Sequence, residues 1–324
     1  MMGSEAHPPS PSPEIAEDGS WQRRRSAFRN WVTADGSSGF AAEPDRYHLY
    51  VALACPWAHR TLIGRRLMGL EDAIGVSYVD PIRDEDAEGW AFSGGRYEDP
   101  INGFRYLSEA YMAADPSYVG GVTVPVLWDK QKRTIVNNES ADILRMLGTV
   151  FAPLAECPVE LYPPHLGDEI NRLNATIYAR VNDGVYSCGF ATRQEPYERA
   201  VRTLFEMLGE LDFRLADRRF LFGADPVETD WRLFATLVRF DAVYQIHFKC
   251  SIRKLVEYDQ LWPYARDLYQ WPGVAATVDF DEIRAHYYGT HPQINPSRIV
   301  AMLPAASFDE AHDRNRLAGA EVPS

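Results

Sequence analysis

The stretch Tyr47-His-Leu-Tyr-Val-Ala-Leu-Ala-Cys55-Pro-Trp-Ala-His-Arg60-Thr-Leu-Ile-Gly-Arg-Arg-Leu-Met-Gly69 constrains this chain more than any other. Tyr47 to Leu53 is apolar and aromatic and reads as a buried strand. Beyond Pro56, Leu62, Ile63 and Leu67 fall at helical spacing. A proline in the first turn loses nothing, because its missing N–H would have no intrahelical partner there. Cys55 therefore sits where a strand hands over to a helix, with its sulfur near the free N–H groups of the first turn. Helix N-termini and nearby cations lower a thiol from about 8.5 to roughly 3.5–7.5. The macrodipole alone supplies only about 0.3–1 kcal/mol, less than one pKa unit. Direct hydrogen bonds from the Trp57 and Ala58 N–H groups would add the rest, so the expectation is a thiol that ionises below neutrality. Ala58 stands where a C-x-x-C motif has its second cysteine, so Cys55 acts as a single thiol.

Charge and composition exclude several classes. A formal net charge of −13 opposes binding to nucleic acid or anionic membranes, which select basic surfaces. No apolar run approaches the length of a membrane-spanning helix, and the Pro/Ser/Glu-rich N-terminus lacks the apolar centre of a signal peptide. The four cysteines, Cys55, Cys157, Cys188 and Cys250, are widely spaced and show neither a disulfide framework nor metal-ligand spacing. No metal and a reducing cytoplasm are expected. Cys157, Cys188 and Cys250 read as inert.

In chain order, residues 1–20 are expected to be disordered, and Trp21 to Asp45 to form an extended lead-in. Ile74 to Val79 reads as a strand parallel to the first, since a helix-length crossover joins them. Asp80 to Gly103 is a long loop carrying Trp90, and Ser108 to Ala114 a short helix. Val122 to Trp128 is a strand with Pro125 near its start, a place where proline marks an edge or a special turn. A polar turn at Asp129 to Arg133, a short strand at Thr134 to Val136 and a helix introduced by Asn137-Asn-Glu-Ser140 complete a β-α-β-α-β-β-α order, that of a thioredoxin-like domain. This domain is placed at 21–147, with a proline-rich linker at 148–164. From 165 to 304 the pattern is all-helical: Leu166, Ile170, Leu173, Ile177 and Val181 recur every three or four residues. Residues 305–324 form a C-terminal tail. The fold class predicted is an α/β thioredoxin-like domain followed by an all-α domain.

That succession is the glutathione transferase architecture, and local motifs narrow it further. Cys55-Pro-Trp-Ala-His-Arg60, Thr123-Val-Pro-Val-Leu-Trp-Asp129, Asn138-Glu-Ser140, Asp230-Trp-Arg-Leu-Phe234, Arg239-Phe-Asp-Ala-Val-Tyr244, His247-Phe-Lys-Cys250 and His286-Tyr-Tyr-Gly289 with Ile294-Asn-Pro296 resemble the glutathionyl-hydroquinone reductases, the Xi class of glutathione transferases. The likeness runs over roughly residues 20–304.

The resemblance implies glutathione as co-substrate and a glutathionyl-hydroquinone as substrate. Cys55 would attack the glutathionyl sulfur, and a second glutathione would resolve the mixed disulfide. By the same resemblance Val124, ahead of a cis Pro125, pairs its backbone with the cysteinyl unit of glutathione. Glu139 and Ser140 hold the γ-glutamyl end, Trp90 lines the same site, and Tyr186 and Tyr287 face the quinol. A homodimer through the helical domain is also implied. The residues themselves leave alternatives open. Glu139 and Ser140 can also be read as a helix cap, Trp90 as a loop anchor, and Tyr288 or Tyr178 as the quinol-facing phenols. His59, His286 and Arg60 read as structural. Val227 replaces the Ser or Thr that commonly caps the Asp230 helix, so Asp230 needs another partner. Two rival functions remain: the same chemistry with a different low-molecular-weight thiol, and non-catalytic binding of aromatics or thiols.

Overall fold

The computed structural model describes residues 14–83 and 89–317. Two short strands, β1 (Glu14–Ile15) and β2 (Trp21–Gln22), pair antiparallel, so the stretch expected to be disordered is ordered from residue 14; residues 1–13 lie outside the described residues. The main sheet follows: β3 (Tyr47–Val51), α1 (Pro56–Leu67), β4 (Ile74–Tyr78), α2 (Leu107–Ala114), β5 (Val126–Asp129), β6 (Thr134–Asn137) and α3 (Ser140–Gly148). Its strand order is β4-β3-β5-β6, with β3 and β4 parallel and the other two pairs antiparallel. The strand expected from Val122 begins only at Val126, after Pro125, which has no N–H to give the ladder; the Val124–Pro125 peptide is cis.

Every residue of β3 is buried, as its apolar run requires. Helices α1 and α3 cover one face of the sheet and approach closely at Gly64, where a Cβ would fall 2.6 Å from Leu144 Cδ1. At the β5–β6 turn, the buried Asp129 carboxylate receives Arg46 at 2.6 Å and the N–H groups of Gln131 and Lys132. The polar residues expected to turn the chain there do so by an ion pair and backbone bonds.

The helical half comprises α4 (Gly167–Ile177), α5 (Gly184–Phe190), α6 (Gln194–Arg214), α7 (Glu228–Leu237), α8 (Leu261–Tyr269) and α9 (Phe280–Thr290), with π-helical turns at Tyr178–Asn182 and Phe240–Tyr244. All ten residues of α7 are buried. Its Asp230 takes the Val227 N–H with one oxygen and the Leu221 N–H and Tyr264 hydroxyl with the other, which answers the missing cap residue. The halves are clamped by Arg145 of α3, which meets the buried Glu228 of α7 through two hydrogen bonds of 2.6 Å. The tail is docked over its described part rather than loose. Phe308 packs on Trp262, and the buried Arg314 donates to the carbonyls of Leu215, Arg218 and Arg219. No described helix is long and apolar enough to cross a membrane.

Candidate active site

Cys55 is the N-cap of α1, in extended conformation with Pro56 next, as the strand-to-helix reading required. It is 8% exposed, and its thiol faces the Val124 carbonyl at 3.7 Å, directly before cis Pro125. Cys55 and the Val124–Pro125 pair are thus brought together from 69 residues apart in sequence by the pairing of β3 with β5. The expected depressed thiol is not what this environment produces. Burial pushes Cys55 up from the ordinary thiol value, while the Ala58 and Trp57 N–H groups and the charges of Arg239 and Arg23 pull it back without prevailing. The helix terminus contributes as anticipated, but sequence spacing could not reveal how little solvent reaches the sulfur.

Around Cys55 stands a ring of cations and aromatics. The Arg23 guanidinium lies 3.9 Å from the Trp57 ring centre and that of Arg60 4.5 Å from it. Buried Arg60 also donates to Asn182 at 2.8 Å and to the Ser140 hydroxyl at 3.4 Å, tying α1 to the start of α3. Ser140 is buried as the first residue of α3. Glu139 is the N-cap of α3: one oxygen accepts the Ala141 N–H, as a helix cap does, and the other accepts the Ser26 hydroxyl at 3.0 Å.

Tyr186 of α5 and Tyr287 of α9 meet hydroxyl to hydroxyl at 2.7 Å, and Tyr244 joins Tyr287 at 2.9 Å. The expected pair is a trio. Burial pushes Tyr186 up to about 12 and holds Tyr244 and Tyr287 well above the ordinary phenol value, so all three keep their protons near neutrality. Tyr244 was missed because its spacing reads as core, yet it closes a π-helical turn, a feature frequent at functional sites. Tyr288 donates its hydroxyl to the Ala242 carbonyl, and Tyr178 packs its ring against Trp57. Trp21 is stacked on Tyr186 and Phe190. Trp90 is buried and stacked on His286, whose ring in turn meets Tyr287 edge-on at 5.2 Å. His286 bonds the Pro81 carbonyl and His59 lies between Arg239 and Thr277, so both histidines are satisfied structurally. Among the described residues, no group of three or more His, Cys, Asp or Glu side chains is placed to hold a metal ion.

Comparison with known proteins places the chain in a family. The glutathione S-transferase N-terminal domain model matches residues 54–150 and the C-terminal domain model residues 194–267. Glutathionyl-hydroquinone reductase YqjG of Escherichia coli is 50% identical over 306 residues, covering 92% of this chain and 93% of that protein. The chain belongs to the Xi class of glutathione transferases, the glutathionyl-hydroquinone reductase family. Another family member, glutathionyl-hydroquinone reductase PcpF of Sphingobium chlorophenolicum, is 46% identical, with 89% of this chain and 90% of that protein covered. The Xi-class transferase structure from Natrialba magadii superposes with a TM-score of 0.88 at 46% identity, covering 97% of this chain and all of its own. The glutathione-bound structure of YqjG gives a TM-score of 0.86 at 49% identity, covering 93% and 99%.

Proposed function

We propose that this chain reduces glutathionyl-hydroquinones to hydroquinones at the expense of glutathione, through a mixed disulfide on Cys55. The observation that carries the reading is the joint placement of a lone N-cap thiol against Val124–cis-Pro125 and of a buried cluster of protonated phenols. The Cys55 thiolate attacks the glutathionyl sulfur. A sulfur–sulfur bond forms, the carbon–sulfur bond breaks, and the electron pair stays on the ring carbon, which takes a proton. A second glutathione thiolate then attacks the mixed disulfide, releasing oxidised glutathione and restoring Cys55. With Ala58 where the second cysteine of a C-x-x-C motif would stand, the incoming thiol does the resolving.

In this reading the cysteinyl unit of glutathione pairs with the Val124 backbone, the interaction by which a free strand end reads a peptide. Such pairing draws on the carbonyl that Cys55 faces in the free protein. The γ-glutamyl end meets Glu139, Ser140 and the N-terminus of α3, a ready anion site. Arg23 and Arg60 suit a ligand of net negative charge. Trp90, backed by His286, forms part of the wall near Tyr287. Tyr186 and Tyr287 hydrogen-bond a quinol oxygen and favour the ring tautomer that accepts the proton. A homodimer through the helical domain belongs to the same reading, supported by the exposed Ile246, Ile299 and Met302 on that half; light scattering tests it. Dependence on reduced glutathione places the reaction in a reducing compartment, the cytoplasm.

The decisive experiment is intact-protein and peptide mass spectrometry after mixing with a glutathionyl-hydroquinone. A glutathione adduct on Cys55 that disappears on adding glutathione is expected. Cys55→Ser should fold and lose essentially all turnover, because a hydroxyl without a base is a weak nucleophile. Turnover near the native rate in Cys55→Ser would falsify the reading.

A further inference from the structure

Arg239 immediately precedes the π-helical turn Phe240–Tyr244 and is completely buried between the two halves of the protein. Its guanidinium donates to the carbonyls of Leu53 at 2.8 Å and Ala54 at 2.9 Å, the two residues directly ahead of Cys55. It also donates to the Ala235 carbonyl at 2.7 Å and meets His59 Nδ1 at 3.0 Å. A guanidinium can only donate, so Nδ1 accepts. His59 therefore carries its proton on Nε2, donates to the Thr277 hydroxyl and is neutral, in line with burial and the Arg239 charge pushing its pKa down.

Every hydrogen-bond partner of Arg239 among the described residues is thus uncharged. The carboxylates on adjoining segments serve elsewhere: Asp241 accepts the Leu255 and Val256 N–H groups, and Asp183 receives the Trp21 indole. A buried cation whose described partners are all neutral is costly, and it favours whatever neighbour can become an anion. The neighbours are specific. The Arg239 charge acts on Cys55 from behind α1, on Tyr186 of α5, on Tyr244 of its own turn and on Tyr287 of α9, drawing each toward its anionic form. It also helps to hold His286 of α9 neutral. A thiol is intrinsically more acidic than a phenol, so the sulfur is the member of this group that can answer the charge.

We infer that Arg239 is the positioning residue for the Cys55 thiolate: it fixes the Leu53–Ala54 backbone that aims the sulfur, and it is the buried positive charge against which the thiolate forms. The inference rests on the reading that Cys55 is the reacting thiol. Arg23, the other cation acting on Cys55, is half-buried over Trp57 and more open to solvent screening.

The test reads the thiol itself and stands apart from turnover. Iodoacetamide labelling of Cys55 is followed by peptide mass spectrometry at pH 8, with the exposed Cys157 in the same sample as internal standard. Arg239→Gln should slow Cys55 labelling about tenfold relative to Cys157, one pKa unit lost. Arg239→Lys, which keeps the charge and donors toward the carbonyls, should stay within about threefold of the native rate. A purely structural role predicts the opposite direction, since a loosened site exposes the sulfur and speeds labelling. Unchanged or faster labelling in Arg239→Gln overturns the inference, as does an Arg239→Lys variant slowed tenfold. Should Arg239→Gln not fold, the lysine variant decides alone by the same criterion. If instead Cys55→Ser kept its turnover, the proposed reaction would fall while the labelling result stood.

Discussion

At Cys55 two tendencies oppose each other: a helix terminus and two guanidinium groups favour the thiolate, and burial disfavours it more. An acid whose folded value is raised keeps its proton at pH values where the unfolded chain has lost it. Its contribution to stability is therefore full below the unfolded value and lost as pH rises through the folded one. For reactivity, Cys55 labelling in the free protein should rise with pH beyond the ordinary thiol range, without a plateau below pH 8; a plateau near pH 6 would show that the helix terminus prevails. The phenols give a second prediction at this scale. Tyr186→Phe and Tyr287→Phe should each lower kcat on a glutathionyl-hydroquinone with little change in KM. The double variant should fall at least tenfold further, within the range of about 10²–10⁴ typical of acid–base assistance. Simple mixed disulfides with glutathione need no ring proton and should still be reduced. Equal activity of all three variants on both substrates would make these tyrosines packing residues. The position of Cys55 was legible because proline and cysteine at a strand–helix junction are a local signal. Tyr244 and Arg239 were not, since what distinguishes them is a hydroxyl 2.9 Å from Tyr287 and contacts to residues 185 and 186 positions away.

Among the elements, α7 shows how a missing local signal is replaced by a tertiary one. Asp230 has no Ser or Thr to answer at Val227 and satisfies itself with Leu221, Val227 and Tyr264. Burial pushes it up to about 6, against hydrogen bonds that pull it down. Between the ordinary carboxyl value and about 6 the folded chain holds a proton that the unfolded chain has released, so this group's stabilisation is lost as pH rises from about 4 to about 6. Asp230→Asn should lower the melting temperature and also flatten its decline across that window, measured by calorimetry at several pH values. An identical pH slope in both proteins would argue against a buried, proton-binding Asp230. Strands and helices were legible wherever one face of an element is buried. The exceptions are the start of β5, where Pro125 has no N–H for the ladder, and the π-helical turns, whose wider winding is not visible in the apolar spacing.

The whole molecule is held across its two halves by polar contacts as well as by apolar packing. Arg145→Met would leave Glu228 buried without its bidentate partner, and loss of such a partner costs about 3–5 kcal/mol. With Asn174 still bonded to Glu228 at 2.7 Å, the expected loss lies near the lower figure, read as a reduced urea midpoint. An unchanged midpoint would mean that the clamp contributes nothing net. The two-domain plan was legible in the change from mixed to purely helical periodicity. The docking of the tail and the lead-in was not, because it depends on single anchors such as Arg314 and Trp21 rather than on any repeat. The lead-in has a consequence for the order in which the protein assembles. Gly19 accepts the Thr192 N–H and Trp21 stacks on Phe190, so this lead-in finds its seat on a helix and its exit made long after it. On a ribosome adding about 5–20 residues per second, that seat is absent for many seconds after Trp21 emerges. Closing so long a loop comes late in any folding route, since its entropy must be met before the contact returns anything. The segment packed on Tyr186 is therefore a late arrival, and in a variant keeping Trp21 as its one tryptophan, Trp21 fluorescence in refolding should trail the signal of the sheet.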